Sequence, residues 1–287
     1  MIEVEQVSKR YGRAAVSALD QVTLSVGTGV FGLLGPNGSG KSTLMQILAT
    51  LMPPSSGRAA VAGYDVQRER AQVRGVLGYL PQDFGFYPQL TALETLDYFA
   101  LLSGLGKERS ARITEVLATV GLGDVARNRV STFSGGMKQR LGIAQALLTR
   151  PAVLIVDEPT VGLDPAERAR FRTLLVELGT HSAIVLSTHI VADVASTCSD
   201  VAVLQRGRLA FQGSLQELAA QAKDRVWTAV IPQRALGDIQ KSCVIAATTA
   251  VADGLEIRGV GTPPLSFSVH STEPTIEDGY LALVGAS

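Results

Sequence analysis

Net charge is missing from this sequence. Its 26 Lys and Arg residues are matched by 26 Asp and Glu. A protein dedicated to nucleic acid needs an excess of positive charge to neutralise phosphates, so no nucleic-acid partner is expected. Cysteine is nearly absent. Cys198 and Cys243 are too few for a disulfide framework and too far apart for a metal knuckle. Both read as small apolar packing residues. Long hydrophobic runs are absent too. No window reaches the ~18 uninterrupted apolar residues of a membrane span. The apolar stretch at 244–252 is short and broken by Thr248 and Thr249. The opening Met1-Ile2-Glu3-Val4-Glu5 lacks a basic-then-apolar leader pattern, so no secretory signal is expected. Internal repeats and low-complexity tracts are also lacking. What is present is a chain of 287 residues, 46% of them hydrophobic. That suffices for one large domain, or for a domain of about 200 residues with an appendage. The expectation is a soluble intracellular protein.

Apolar periodicity divides the chain. Ile2 and Val4 alternate with Glu3 and Glu5, which predicts a half-buried strand, and Leu24-Ser25-Val26 predicts another. Residues 30–34 are nearly all apolar, as in a strand covered on both faces. After a glycine-rich turn, Leu44, Ile47, Leu48 and Leu51 recur at the spacing of one helix face, ended by Pro53, Pro54 and Gly57. From about Asp83 to Arg150 the pattern is helical. Ile113, Val116, Leu117 and Val120 mark one helix, closed by Gly121, and a helix from near Gly135 is expected to run to Arg150, where Pro151 stops it. Buried-strand runs at 153–156 and 184–186 flank a helix around 166–178. This alternation predicts an α/β fold with a parallel sheet and an inserted helical region at about 83–150. Beyond Leu218, residues 226–231, 255–257 and 265–269 read as strands. Thr275 reads as the N-cap of a last helix carrying Ile276, Tyr280, Leu281 and Val284. Two units are therefore expected, 1–218 and a small α+β appendage at 219–287.

Gly35-Pro36-Asn37-Gly38-Ser39-Gly40-Lys41-Ser42 fits the Walker A pattern G-x-x-x-x-G-K-[ST] and lies between an expected strand and an expected helix. Glycines let the backbone curl so that its N–H groups point inward at phosphate oxygens. The helix starting at Lys41 adds its positive end. Lys41 can reach the β- and γ-phosphates, Ser42 can ligate Mg²⁺, and Thr43 can support a phosphate. Asp157 and Glu158 follow the apolar run 153–156, at the carboxyl end of a strand, where open α/β sheets hold ligands. Asp157 suits Mg²⁺, usually through water; Glu158 suits a base or orienter for an attacking water.

Phe133-Ser134-Gly135-Gly136-Met137-Lys138-Gln139-Arg140 resembles the signature segment of ATP-binding cassette (ABC) ATPases. Asp157-Glu158-Pro159-Thr160-Val161-Gly162-Leu163-Asp164-Pro165 is similar to that family's Walker B strand running into its D-loop. Tyr79-Leu80-Pro81-Gln82 resembles the Q-loop, and Ser187-Thr188-His189 the switch histidine. The resemblance covers about residues 2–217. It implies a P-loop NTPase core with a mixed sheet, antiparallel N-terminal strands and an inserted helical subdomain. It implies ATP and Mg²⁺ as cofactors. Tyr11 would stack on adenine. Gln82 would touch Mg²⁺ and sense a membrane partner, and His189 would contact the γ-phosphate and help position water. Ser134, Gly135 and Gly136 would bind the γ-phosphate held on an opposite subunit, and Asp164 would communicate across that interface. The implied partners are a second ATP-binding subunit, either another copy or a paralogue, and a separate transmembrane permease. The implied place is the cytoplasmic face of the membrane.

Three positions depart from the family pattern, one of them mildly: Val161 replaces the small or polar residue usual before Gly162-Leu163-Asp164. Met137 stands where Gln is usual, so no ribose contact is carried over to it. Phe133 stands where Leu is usual and keeps an apolar packing role. Residues 79–98, and Pro274-Thr275-Ile276-Glu277-Asp278-Gly279-Tyr280-Leu281-Ala282-Leu283, resemble ATPases serving exporters of drugs, antibiotics and other lipophilic compounds. Tyr87, Pro88, Leu90 and Thr91 read either as the lining of a groove for a permease helix or as ordinary packing at a helix start. Members of the family that act on ribosomes or DNA carry two cassettes or a long coiled coil. Here there is one phosphate loop, with no heptad run and no basic tail. A GTPase reading lacks its guanine-reading Asn-Lys-x-Asp run.

Overall fold

A computed structural model describes residues 1–12, 17–264 and 266–285. The chain opens with β1 (Ile2–Lys9), β2 (Leu19–Val26), β3 (Gly29–Leu34), α1 (Lys41–Leu48), β4 (Ser56–Val61) and β5 (Tyr64–Asp65). It continues through α2 (Arg70–Val76), β6 (Leu77–Leu80), α3 (Ala92–Leu102), α4 (Arg109–Thr119) and α5 (Gly135–Leu147). Next come β7 (Val153–Asp157), α6 (Pro165–Gly179), β8 (Ala183–Thr188), α7 (Val191–Thr197), β9 (Asp200–Gln205) and β10 (Arg208–Ser214). The last part holds α8 (Leu215–Ala220), β11 (Val226–Ile231), α9 (Leu236–Ile239), β12 (Val244–Val251), β13 (Gly254–Val260), β14 (His270–Ser271) and α10 (Ile276–Val284).

The central sheet runs β10-β9-β3-β8-β7-β6. It is parallel except for β10, which pairs antiparallel with β9. A second, antiparallel sheet runs β2-β1-β4-β5. The apolar runs of β3, β7 and β8 are explained by their two covered faces. Phe31, Leu33, Val153, Ile155 and Val185 pack with α1 and the N-terminal sheet. Their neighbours Val30, Leu34, Leu154, Val156, Ile184 and Leu186 pack on the other side with α5 and α6. A period of two, buried both ways, reads as one continuous hydrophobic string. The α3–α5 helical region rests on that second face.

Several boundaries differ from expectation, each for a local reason. Helix α1 stops at Leu48, Thr50 takes φ 59°, and Leu51 is left 62% exposed rather than on the buried face. Helix α5 stops at Leu147, three residues before Arg150. The Arg112 guanidinium, brought in from α4, donates to the carbonyls of Leu147 and Leu148 and ends the helix before Pro151 is reached. The strand expected at 265–269 forms instead at His270–Ser271, against Trp227 and Thr228 of β11. Leu265 lies outside the described residues. Phe267 and Val269 pack against the Trp227–Ile257 cluster, so their apolar alternation marks packing rather than strand pairing. The run at 244–251, read only as too short for a membrane, is the edge strand β12.

The C-terminal sheet runs β12-β13-β11-β14 and is antiparallel throughout. Trp227, Ala229, Ile231 and Ile257 pack with Ile239 of α9, while Val226 and Val260 pack with Ala222 and Ala282 of α10. Helix α10 starts at a capping box between Thr275 and Asp278, as its N-cap predicted. It lies across α8, and Tyr280 joins Leu218 and Val194 in the main core. Gly279 permits that seat: a Cβ there would collide with the Leu218 carbonyl. The expected division at 218/219 falls inside α8.

Candidate functional site

The phosphate-loop residues connect the buried end of β3 to α1. Gly40 holds the N-cap of α1 at φ 106°, where a Cβ would meet the Ala18 carbonyl at 2.5 Å. No side chain caps this helix and no acidic residue sits in its first turn. Its first N–H groups are therefore left for an anionic ligand. Asn37, Gly38, Ser39, Gly40, Lys41, Ser42 and Thr43 line one wall of a cavity of about 410 Å³. Gln82, from the loop after β6, and Glu158, just past β7, complete the wall opposite. Gly35 and Pro36 contribute carbonyls beneath it: Lys41 Nζ donates to Gly35 O at 2.7 Å and reaches Pro36 O at 3.4 Å.

Of two adjacent carboxylates, Glu158 lines the cavity and Asp157 is buried beside it without lining it. Asp157 ends β7 and is 2% exposed. Burial raises its pKa, while the Ser187 and Ser42 hydroxyls pull the other way. Its Oδ1 is buried without a hydrogen-bond partner. Asp157 in turn acts on Tyr79: burial first, and then the Asp157 charge, push that phenol up to about 12. An orphaned carboxylate oxygen, a hydroxyl and an amide oxygen form an all-oxygen donor set, which fits a hard divalent cation such as Mg²⁺. Glu158 sits at φ 48°, held there by its N–H donating to Ser187 O at 2.9 Å. Its Oε2 lies 2.8 Å from His189 Nδ1, and its Oε1 lies 3.4 Å from Lys41 Nζ. The sheet thus brings residues from three strand ends into one contact, with the carboxylate at its centre.

Tyr11 stands beside this wall. Its hydroxyl lies 3.2 Å from Thr43 Oγ1 and donates to Met52 Sδ at 3.4 Å. The Lys9 ammonium is 5.7 Å from its ring centroid. About half the side chain is exposed, so one ring face is available for stacking.

Ser134, Gly135, Gly136 and Asp164 do not line the cavity. They form a second locus. Ser134 caps α5 by accepting from Met137 N at 3.1 Å, and Phe133 is buried beneath it. Asp164 caps α6 by accepting from Glu167 N at 2.9 Å. Gly136 lies against the Glu167 carboxylate and Gly135 faces Leu163. Glu167 escaped the sequence reading, as did its pairing, at 3.7 Å, with Arg140 of the signature segment. Its signal was present: Glu167 is the third residue of a helix whose cap is Asp164, the spacing of a capping motif.

The Ser134-capped end of α5 thus lies outside the cavity that the phosphate loop lines. The sequence pattern described as ABC transporter matches residues 19–161. The Bacillus subtilis protein named uncharacterized ABC transporter ATP-binding protein YxlF is 38% identical over 249 residues, covering 86% of this chain and 82% of that one.

The chain belongs to the ABC transporter family.

It is an ATP-binding subunit and an ATPase of that family. Linearmycin resistance ATP-binding protein LnrL of B. subtilis is 36% identical, over 77% of this ATPase and 71% of its own length. Methionine import ATP-binding protein MetN 3 of Pseudomonas fluorescens is 40% identical, over 81% and 74% respectively. A cassette dimer described as a post-hydrolysis state bound to ADP and Pi superposes with a TM-score of 0.66. It has 27% identity and covers 75% of this ATPase and 98% of that chain. Subunits of this family dimerise and act with transmembrane subunits. Among the described residues no helix is long and apolar enough to cross a membrane.

Proposed function

We propose that this ABC ATPase energises an exporter of drugs, antibiotics or other lipophilic compounds from the cytoplasmic face of the membrane. Its partners are a second ATP-binding subunit and a separate permease. One observation carries the two-subunit reading: Lys41 and Glu158 line one cavity, while Ser134, Gly135, Gly136 and Asp164 gather elsewhere in the same chain. A head-to-tail pair would place the Ser134 helix of each copy over the γ-phosphate bound by the other.

In this reading the first-turn N–H groups of α1, with Gly35, Pro36, Asn37, Gly38, Ser39 and Gly40, cradle the phosphates. Lys41 exchanges its carbonyl partners for phosphate oxygens, and Thr43 supports a phosphate. Tyr11 stacks on adenine. Ser42, Gln82 and Asp157 hold Mg²⁺, which neutralises phosphate charge when bound. Glu158 takes the proton of the attacking water and His189 orients that water, so catalysis is positioning plus charge stabilisation. Closure follows from contacts to the γ-phosphate that ADP cannot make. Tyr87, Tyr98, Leu93, Leu101 and Leu102 are exposed on and beside α3, with Tyr87 and Tyr98 edge to face at 6.1 Å. We assign this apolar surface to the permease. Residues 219–287 form an accessory unit.

Export is favoured by LnrL and by daunorubicin resistance ATP-binding protein DrrA3 of Streptomyces coeruleorubidus, which is 40% identical over 223 residues. The test is co-purification of the permease from membranes, followed by ATP-driven uptake of labelled lipophilic compounds into inside-out vesicles. Uptake is expected. ATP-driven loss from preloaded inside-out vesicles would reverse the assigned direction.

A further inference from the structure

Two charged or polar groups are buried just behind the proposed catalytic contact and take no part in it. Thr160 is 1% exposed and Asp193 is 0% exposed. Thr160 Oγ1 donates to Asp193 Oδ2 at 2.6 Å. Asp193 Oδ1 is buried with no hydrogen-bond partner and faces the Arg172 guanidinium of α6 at 3.7 Å. That guanidinium donates to Ser196 of α7 at 3.1 Å. Desolvating a carboxylate for one hydroxyl and one distant cation is unfavourable, and an apolar pair of similar volume would pack there at less cost. A purely structural role therefore accounts poorly for this pair.

Its place in the chain suggests another. Thr160 lies two residues after Glu158, and Asp193 lies in the first turn of α7, four residues after His189, which precedes that helix. Glu158 meets His189 at 2.8 Å. The two bonds close a ring: Glu158 to Thr160 along the chain, across to Asp193, back through the first turn of α7 and the extended Ile190 to His189, and across to Glu158. Within such a ring neither segment can shift alone. The same Thr160 begins the turn that leads through Leu163 to Asp164, the cap of α6.

We propose that Asp193 and Thr160 are positioning residues that fix His189 against Glu158 and tie the histidine to the course of the Asp164 turn. The inference rests on the roles proposed above for Glu158 and His189. Displacing a reacting group by about 1 Å lowers turnover on the order of 100-fold. The pair should therefore act on kcat and leave nucleotide affinity alone, because both are buried and act through His189, and neither is among the residues assigned to hold nucleotide or Mg²⁺.

The experiment is steady-state ATP hydrolysis by the full chain, with KM and melting temperature measured alongside. Thr160→Val and Asp193→Ala are expected to lower kcat about 10- to 100-fold with KM within about twofold. Thr160→Ser restores the hydroxyl and should restore turnover. The double variant Thr160→Val with Asp193→Leu replaces both polar groups by apolar ones; it should regain the melting temperature but not kcat. In a His189→Ala background, Thr160→Val should lower kcat no further. Recovery of kcat in the apolar double variant, or multiplied losses in the His189→Ala background, would overturn the proposal. If His189→Ala lowers turnover and folded Thr160→Val does not, the proposal falls while the site reading stands. If His189→Ala has no effect, the site reading falls and takes the proposal with it.

Discussion

Replacing Glu158 by Gln exchanges one oxygen for a nitrogen in a side chain held from two sides. The amide keeps the size of the carboxylate and keeps an acceptor for His189, which now lies 2.8 Å away. It removes the proton acceptor. General-base catalysis contributes about 100- to 10,000-fold, so kcat should fall by that factor, equivalent to roughly 3–5 kcal/mol of barrier. Nucleotide binding should survive, because Lys41 and the uncapped first turn of α1, which are assigned to the phosphates, are untouched. The fold should survive as well. Lys41 loses an ion-pair partner at 3.4 Å and keeps its hydrogen bonds to the Gly35 and Pro36 carbonyls. The assay combines phosphate release with size-exclusion chromatography in ATP. The expected outcome is slow turnover with a persistent ATP-bound dimer. Unchanged kcat in a folded Glu158→Gln variant would refute the assignment of Glu158 as base.

Other perturbations reach other parts of the molecule. Lys41→Ala should weaken ATP binding at least about tenfold, measured with a fluorescent nucleotide, since it removes a charged contact of the strength given to ionised hydrogen bonds; unaltered affinity would count against the cradle. Gly279→Ala should lift α10 off α8 and destabilise the C-terminal region by about 1–3 kcal/mol, as overpacking does. Trp227, the single tryptophan, is buried in β11 and reports this region by fluorescence. Asp278 supplies a pH test. Burial pushes its pKa up, but Arg258 and the Thr275 N–H and hydroxyl outweigh burial and leave it below 3.8. A depressed carboxylate adds stability above its unfolded value that is lost as pH falls. Trp227 emission should therefore shift as pH drops below about 4, and Asp278→Asn should be destabilised at neutral pH and lose that acid dependence.

Features set by neighbouring residues were legible before the structure. The loop at 35–42 combines glycines, a strand before and a helix after, all local facts. The strand ends bearing Asp157 and His189 follow apolar runs whose length alone implies burial on both faces. What escaped depends on residues far apart in the chain. Leu51 continues the helical spacing, but Thr50 adopts a left-handed conformation and turns it outward. The end of α5 is decided by Arg112, which reaches carbonyls 35 and 36 residues away. The alternation at 265–269 belongs to side chains packing on Trp227, whereas pairing is governed by the edge of β11. The Thr160–Asp193 bond spans 33 residues and has no periodicity to announce it. Site chemistry was likewise legible as a set of residues, and the family resemblance already implied its division into two loci; the coordinates add that the Ser134 segment does not line the phosphate-loop cavity.

That division has a geometric corollary. Each copy would offer one socket and one plug, on different surfaces. Unlike patches usually propagate into rings or filaments. Two copies related by a twofold axis satisfy both sockets at once, and nothing remains to recruit a third. Assembly would then saturate at a closed pair with two equivalent ATP sites, however high the concentration rises.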